Sequence, residues 1–404
     1  MITARASAEV SLVLLCARTG VPEDESRLVQ LANSGLDWSL VFEFAVRHGL
    51  ASLVHQNLER CCAAAVPQDV SAAFRANARQ SLARSLYLVA ELHRVTGFLD
   101  AAQLRYVALK GPVLAQLAYG DPALRESGDL DIAVHGDDFG DARDVLSASG
   151  YEDCSDSRQR ERIVPRYSIF VHAESDVVVD LQQAFEAAHF SYPLTDPTLW
   201  DRTVKRAVGG RPVASFSDDD LLILLCVHGM KDGWTLLKWV CDLAQLVRAR
   251  AGSDWDALLA RAEELHARKR LLFGLCLANT VFDAPVPERL LAPIENSKAL
   301  SFAIDEISGQ LVGDEETTTL GNRVKLFLRT DDTLADQAKR VLVYLGAYAR
   351  VIFSPTGSDQ QAVSLPKPLA FGYYIVRPVR LLLKYALRPR KLARVVRAWF
   401  RSVW

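Results

Sequence analysis

Asp129 and Asp131 stand two residues apart at the head of the apolar run Leu130-Asp131-Ile132-Ala133-Val134. Residues two apart in a strand share a face, so both carboxylates point to one side. Side by side they repel, and a divalent cation removes the repulsion; hard oxygen ligands favour Mg²⁺ over softer metals. Asp180 closes another apolar run, Val177-Val178-Val179, and a hairpin or sheet neighbour could set it beside the pair. Three acids on adjacent strands can hold two ions, one on a triphosphate and one helping to deprotonate an acceptor hydroxyl, with Asp180 touching that hydroxyl or its metal. The Asp-x-Asp spacing taken alone also fits an acidic turn or helix cap, and it is the surrounding order of elements that favours chemistry.

Lys110-Gly111 stands at a strand-to-helix junction, where backbone N–H groups and a cationic side chain can meet phosphate oxygens. Arg125, four residues before Asp129, could fork onto a leaving pyrophosphate. Further on, His228, Lys231, Thr235, Lys238 and Asp242 recur at alternating steps of three and four, the spacing of one helical stripe. If that stripe faces the acids, Lys238 would sit on phosphate, Asp242 would hold Lys238 or a sugar hydroxyl, and His228 and Lys231 would meet substrate. The competing reading is a solvated helix face, with His228 a satisfied structural histidine.

The elements that must position these groups alternate between strand and helix. Tyr106–Leu109 reads as a buried strand followed by a helix to Tyr119, Leu130–Val134 as a strand followed by a helix from Asp137 to Ser149, and Tyr167–Val171 and Val177–Leu181 as strands joined by a turn at Glu174-Ser175-Asp176. They make a small mixed sheet layered against helices. Asp153 and Asp156 fall in an expected solvated loop. Before this unit, Trp38-x-x-Val41-Phe42-x-x-Ala45 and Leu82-x-x-Ser85-Leu86-x-x-Val89 repeat at helical spacing, Pro67 interrupts once, and Ser34-Gly35 and Gly49 mark helix ends. After a polar, Pro-containing passage, Ser217 caps one long helix to Val247, or two broken near Gly233, and helices continue to about Thr330. The expected fold is therefore α+β: helical segment 1–104, mixed-sheet unit 105–215, helical segment 216–330 and C-terminal helical segment 331–404.

At 404 residues with a net charge of −2, the chain can bury a large core and carries no global pull toward nucleic acid. Its seven cysteines include no C-x-x-C pair, which argues against a structural zinc site or a disulfide framework and points to a reducing cytoplasm. Val10–Ala17 has the length of a signal-peptide core, but Glu9 precedes it and no cleavage pattern follows before Glu23-Asp24. No apolar run reaches the roughly 20 residues that span a bilayer. Between Arg377 and Arg401 there are nine Lys and Arg and no acid, interleaved with Tyr385, Leu387, Val395, Trp399 and Phe400. Such a tail suits an anionic membrane surface, RNA or an acidic partner, or else packs its arginines over an acidic protein body.

The runs Ala108-Leu109-Lys110-Gly111, Tyr119-Gly120-Asp121-Pro122 and Arg125-Glu126-Ser127-Gly128-Asp129-Leu130-Asp131-Ile132-Ala133-Val134 resemble the signature of a bacterial family of uncharacterised nucleotidyltransferases in the DNA polymerase β-like superfamily. The resemblance continues through His228-Gly229-Met230-Lys231, Leu237–Ala244 and Tyr373–Leu381, from about Trp38 to Tyr385. It implies a sheet palm in which Asp129, Asp131 and Asp180 bind two Mg²⁺, with Mn²⁺ as a substitute, and transfer a nucleoside monophosphate, AMP from ATP in the favoured reading, to a hydroxyl or phosphate. Relatives occur beside genes for lasso peptides and surface polysaccharides, which implies a peptide, protein, glycan or other small-molecule acceptor. Two departures stand out: Lys110-Gly111 replaces the superfamily's Gly-Ser or Gly-Gly turn, and Gln182, which cannot titrate, stands where relatives often carry His. The alternative is a catalytically silent nucleotide-binding scaffold docked through its basic tail.

Overall fold

The structure is a computed structural model that describes residues 6–18, 23–154, 167–172, 174–187, 190–250, 252, 254–313 and 366–386, with scattered positions between 326 and 363. It opens with α1 (Ala8–Cys16), in which every residue from Val10 to Cys16 is buried. The stretch with the length of a signal core is thus a core helix, started by the Ser7 hydroxyl, which accepts from the Val10 N–H. Then come α2 (Glu23–Ala32), α3 (Trp38–Arg47), α4 (Ala51–Cys61) and the 34-residue α5 (Gln68–Ala101). Gly35 and Gly49 sit at φ +79° and +66° where two helices end, and Pro67 precedes α5.

Five strands form the central sheet: β1 (Tyr106–Ala108), β2 (Asp129–Val134), β3 (Tyr151–Asp153), β4 (Tyr167–His172) and β5 (Val178–Gln182), in the order β1-β2-β5-β4-β3. Only β2 and β5 run parallel; β1–β2, β4–β5 and β3–β4 are antiparallel. Helices α6 (Gly111–Tyr119) and α7 (Phe139–Ala148) follow β1 and β2. Alternation decides the two faces. Leu130, Ile132 and Val134 of β2, with Val179 and Leu181 of β5 and Phe170 of β4, join a core with Leu88, Leu92, Val95 and Leu99 of α5 and Ala142 and Leu146 of α7. Asp129, Asp131 and Asp180 are thereby turned to the other face.

Two expectations need correction. Tyr151–Asp153 is the edge strand β3 rather than loop, and Asp153 accepts from Arg143 at 2.8 Å instead of lying free in solvent; Asp156 lies outside the described residues. The polar passage after the sheet contains strands β6 (Ala184–Ala187), β7 (Phe190–Pro193), β8 (Val204–Val208) and β9 (Arg211–Ser215). Gly209 and Gly210, both at positive φ, turn the β8–β9 hairpin, and Val208 and Val213 insert into the sheet's core.

The helices that follow are α8 (Pro197–Asp201), α9 (Asp218–Asp232), α10 (Leu237–Ala249), α11 (Trp255–Glu264), α12 (Arg268–Phe282), α13 (Glu288–Glu295) and α14 (Lys298–Val312). As expected, Ser217 caps α9, its hydroxyl accepting from the Asp220 N–H. Residues 1–186 with 191–316 make one compact unit, and 187–190 with 317–404 make a second, which holds α15 (Tyr373–Ala386). Among the described residues no helix is long and apolar enough to cross a membrane. The cysteines described are all free.

Candidate active site

Register brings the three acids together. β2 and β5 pair so that Asp131 lies directly opposite Asp180, and Asp129 is two residues back on the same face of β2. Asp131 and Asp180 meet different neighbours. Lys110 Nζ is 2.9 Å from Asp131 Oδ1, Gln182 Nε2 donates to the same oxygen at 3.3 Å, and the Tyr167 hydroxyl donates to Asp180 Oδ2 at 2.7 Å. Burial raises the Asp129 carboxyl above its usual range, and the Asp131 charge adds to the effect. Burial pushes Asp180 up to about 6, with Asp131 and Asp129 raising it further and the Tyr167 hydrogen bond opposing.

Lys110 is set by the start of α6. Gly111 has φ +58°, and a Cβ there would stand 3.3 Å from the Asp129 carbonyl oxygen. The Lys-Gly pair therefore lets α6 begin close against β2, which puts the ammonium over the acids. Behind it, Lys110 Nζ lies 2.8 Å from His228 Nε2. Burial, reinforced by Lys110 and Lys231, holds His228 well below its normal range, so the imidazole is neutral and Nε2 accepts from the ammonium, which has only donors. Asp232 Oδ2 lies 3.1 Å from the same nitrogen. His228, expected at substrate, contacts Lys110. Lys231 lies 3.5 Å from Asp232 rather than joining the acids.

The stripe from His228 to Asp242 does not lie on one helix. α9 ends at Gly233, φ +68°, Trp234 follows at φ +55°, and α10 starts at Leu237. Packing nevertheless turns both ends toward the sheet unit. Arg125 Nε donates to both Asp242 oxygens at 3.0 Å, Arg125 Nη1 donates to Ser127 Oγ at 2.7 Å, and the Tyr119 hydroxyl donates to Asp242 Oδ1 at 2.9 Å. Arg125 and Asp242 are 6% and 1% exposed. Two charges that deep must be paired, and they pair with each other. Arg125, expected at the leaving pyrophosphate, is thus paired with Asp242, and Asp242, expected at Lys238 or a sugar hydroxyl, is paired with Arg125. Lys238 Nζ donates to the Glu126 carbonyl at 3.3 Å, and burial lowers its pKa.

Several contributors escape sequence reading. Tyr167 reaches Asp180 only because β4 and β5 are antiparallel with Tyr167 opposite Gln182. Arg84 of α5 donates to the Gly128 carbonyl at 2.7 Å, next to Asp129. Gly49, legible as a helix end, also makes room for Lys238, since a Cβ there would fall 2.8 Å from Lys238 Cδ.

Among the described residues, no three His, Cys, Asp or Glu side chains form a cluster that could hold a metal as they stand. The donor set itself fits a hard divalent cation. Carboxylate oxygens on neighbouring strands carry charge that their surroundings disfavour, and a cation would relieve it.

The profile of the family described as Uncharacterised nucleotidyltransferase matches residues 34–283, more than half of the 404-residue chain. This chain belongs to that family. As a nucleotidyltransferase it is an enzyme that acts on a nucleoside triphosphate and an acceptor. The match ends at Asp283, whereas the sequence resemblance extends to about Tyr385. No curated protein matches the chain. Among solved structures, the solution structure of the antibiotic-resistance factor ANT(2″)-Ia is 15% identical with TM-score 0.33, over 44% of this chain and 91% of that one. A crystal structure of ANT(2″)-Ia in complex with adenylyl-2″-tobramycin gives 14% and 0.33, over 45% and 98%. An antigenic nucleotidyltransferase-like protein from Paracoccidioides brasiliensis gives 15% and 0.32, over 54% and 92%.

Proposed function

We propose that this nucleotidyltransferase moves a nucleoside monophosphate, AMP from ATP in the favoured reading, onto a hydroxyl or phosphate of a peptide, protein or small-molecule acceptor. The observation that carries this reading is the pairing of Asp131 with Asp180, two residues beyond Asp129 on one sheet face. Asp129, Asp131 and Asp180 would hold two Mg²⁺, or Mn²⁺ in their place, and the ions would offset charge on the triphosphate and the leaving pyrophosphate. Lys110 and Lys238, cations at the edge of the acids, would bind phosphate oxygens, with Lys110 leaving Asp131 to do so. His228 is then a positioning residue for Lys110, and Arg125 with Asp242 holds α10 to the loop before β2.

In the transfer step the acceptor oxygen bonds to the α-phosphorus, the α–β anhydride bond breaks, and pyrophosphate leaves. The acceptor's proton would pass to Asp180, the third acid on this sheet face. Gln182 supports Asp131 by hydrogen bonding and cannot serve as a base.

The test is to incubate the pure protein with Mg²⁺ and each α-labelled NTP, alone and with cell extract, beside Asp129→Ala/Asp131→Ala. The expected outcome is label transfer by the wild type, strongest with ATP, and a loss of at least about 1,000-fold in the double variant. Transfer that survives the double variant overturns the assignment. Nuclease treatment of the extract that abolishes transfer would make RNA the acceptor.

A further inference from the structure

In α15 the two described arginines turn inward and the described apolar side chains opposite them turn out. Arg377 Nη1 and Arg380 Nε donate to the two oxygens of Asp359 at 3.0 and 2.7 Å, and Asp359 is fully buried. Tyr373, on the same side, is buried and donates from its hydroxyl to the Val363 carbonyl at 3.0 Å. At about 100° per residue, positions 373, 377 and 380 fall on one side of the helix, and 375 and 379 fall opposite. Those opposite positions are Ile375 and Val379, exposed by 65% and 47%; Tyr374 beside them is exposed, as are Leu369 and Phe371 in the 3-10 turn Lys367–Gly372 that leads into the helix.

A soluble helix normally does the reverse, and a contiguous apolar face left to water marks an interaction surface. The buried Asp359 fixes this orientation, because rotating the helix to hide the stripe would strand a buried carboxylate without its guanidinium partners. Sequence chemistry selects the occupant. Lys384, Arg388, Arg390, Lys391, Arg394, Arg397 and Arg401 follow or lie within the helix with no acid among them. A second copy of this face would bring like charges together, and RNA offers nothing to Ile375, Val379 and Leu369. An anionic bilayer takes both features, since acyl chains accept the stripe and headgroups attract the cations.

We propose that the Ile375–Val379 face of α15, with Leu369 and Phe371 of the turn before it, docks this enzyme on anionic lipid membranes, lying on the bilayer without crossing it. The experiment is flotation of the purified full-length protein with phosphatidylcholine vesicles, with and without phosphatidylserine. Three variants run alongside: Ile375→Asp/Val379→Asp, the uncharged truncation Ile375→Ala/Val379→Ala, and Phe302→Asp as a control at an exposed apolar residue elsewhere. Wild type and F302D are expected to float with the phosphatidylserine vesicles and to be released by salt. I375D/V379D is expected to fall at least about tenfold and the alanine pair less, with the thermal transition unchanged. Equal binding to both vesicle types, or binding by I375D/V379D at the wild-type level, overturns the proposal. So does a wild-type dimer that I375D/V379D splits, which would assign the face to a second copy.

Discussion

Asp180 is crowded from several directions: burial, Asp131 directly across the ladder, Asp129 behind it and the Tyr167 hydroxyl on Oδ2. Its pKa of about 6 lies above the roughly 3.9 of an unfolded chain, so between those values the folded protein holds the extra proton. The contribution of this carboxyl to stability is therefore complete below about pH 4 and is lost as pH rises through about 6. Asp180→Asn removes that dependence while still accepting from Tyr167. The variant should be more stable than the wild type at pH 7.5, by about 3 kcal/mol at most, and no more stable at pH 4, by urea denaturation in the absence of divalent ions. It should also transfer no label. Equal stability of the two proteins at both pH values would show that Asp180 ionises normally. That an acid ends an apolar run is visible in the chain; that it faces Asp131 is not, because register across a parallel pair has no local signal.

At the scale of elements, the corner between α9 and α10 decides whether His228 and Asp242 reach the sheet unit. It is made by Gly233 at φ +68° and Trp234 at φ +55°, with the Trp234 ring lying where a Cβ on Gly229 would go. Gly229→Ala is therefore expected to push Trp234 out of its buried site and cost about 2 kcal/mol in chemical denaturation. It should also weaken NTP binding, because Lys110 leans on His228 one residue earlier. A Gly229→Ala protein with wild-type stability and NTP affinity would mean the corner repacks freely. The break near Gly233 could be read in advance from the glycine. The direction of the turn could not, since it depends on a tryptophan at positive φ, which sequence patterns do not flag. The β8–β9 hairpin is the opposite case, for Gly209-Gly210 between Val208 and Arg211 is a strong hairpin signal that a polar composition masks.

At the scale of the molecule, the proposed acids and their supporting cations all belong to the unit of residues 1–186 and 191–316, whereas α15 belongs to the other. A chain ending at Gly313 is expected to bind ATP and Mg²⁺ as tightly as the full chain in calorimetric titration. It should fail to float with phosphatidylserine vesicles. A marked loss of ATP affinity in that fragment would mean that residues beyond 313 complete the nucleotide site.

The sequence by itself determined the chemistry on offer: two acids at strand spacing, a third ending an apolar run, a Lys-Gly turn, and strands and helices in the order that builds a mixed sheet. These are local properties, fixed by side-chain type and by the two-residue and 3.6-residue periods of backbone geometry. Only the tertiary structure decided which charges would be spent on each other. Arg125 and Asp242 lie 117 residues apart in the chain and are paired inside the protein; Lys110 and His228 lie 118 apart and are in contact. The physical reason is burial. A charge in solvent is free to wait for a ligand, while a charge withdrawn from water must find its partner within the fold, and which charges are withdrawn depends on how distant helices pack.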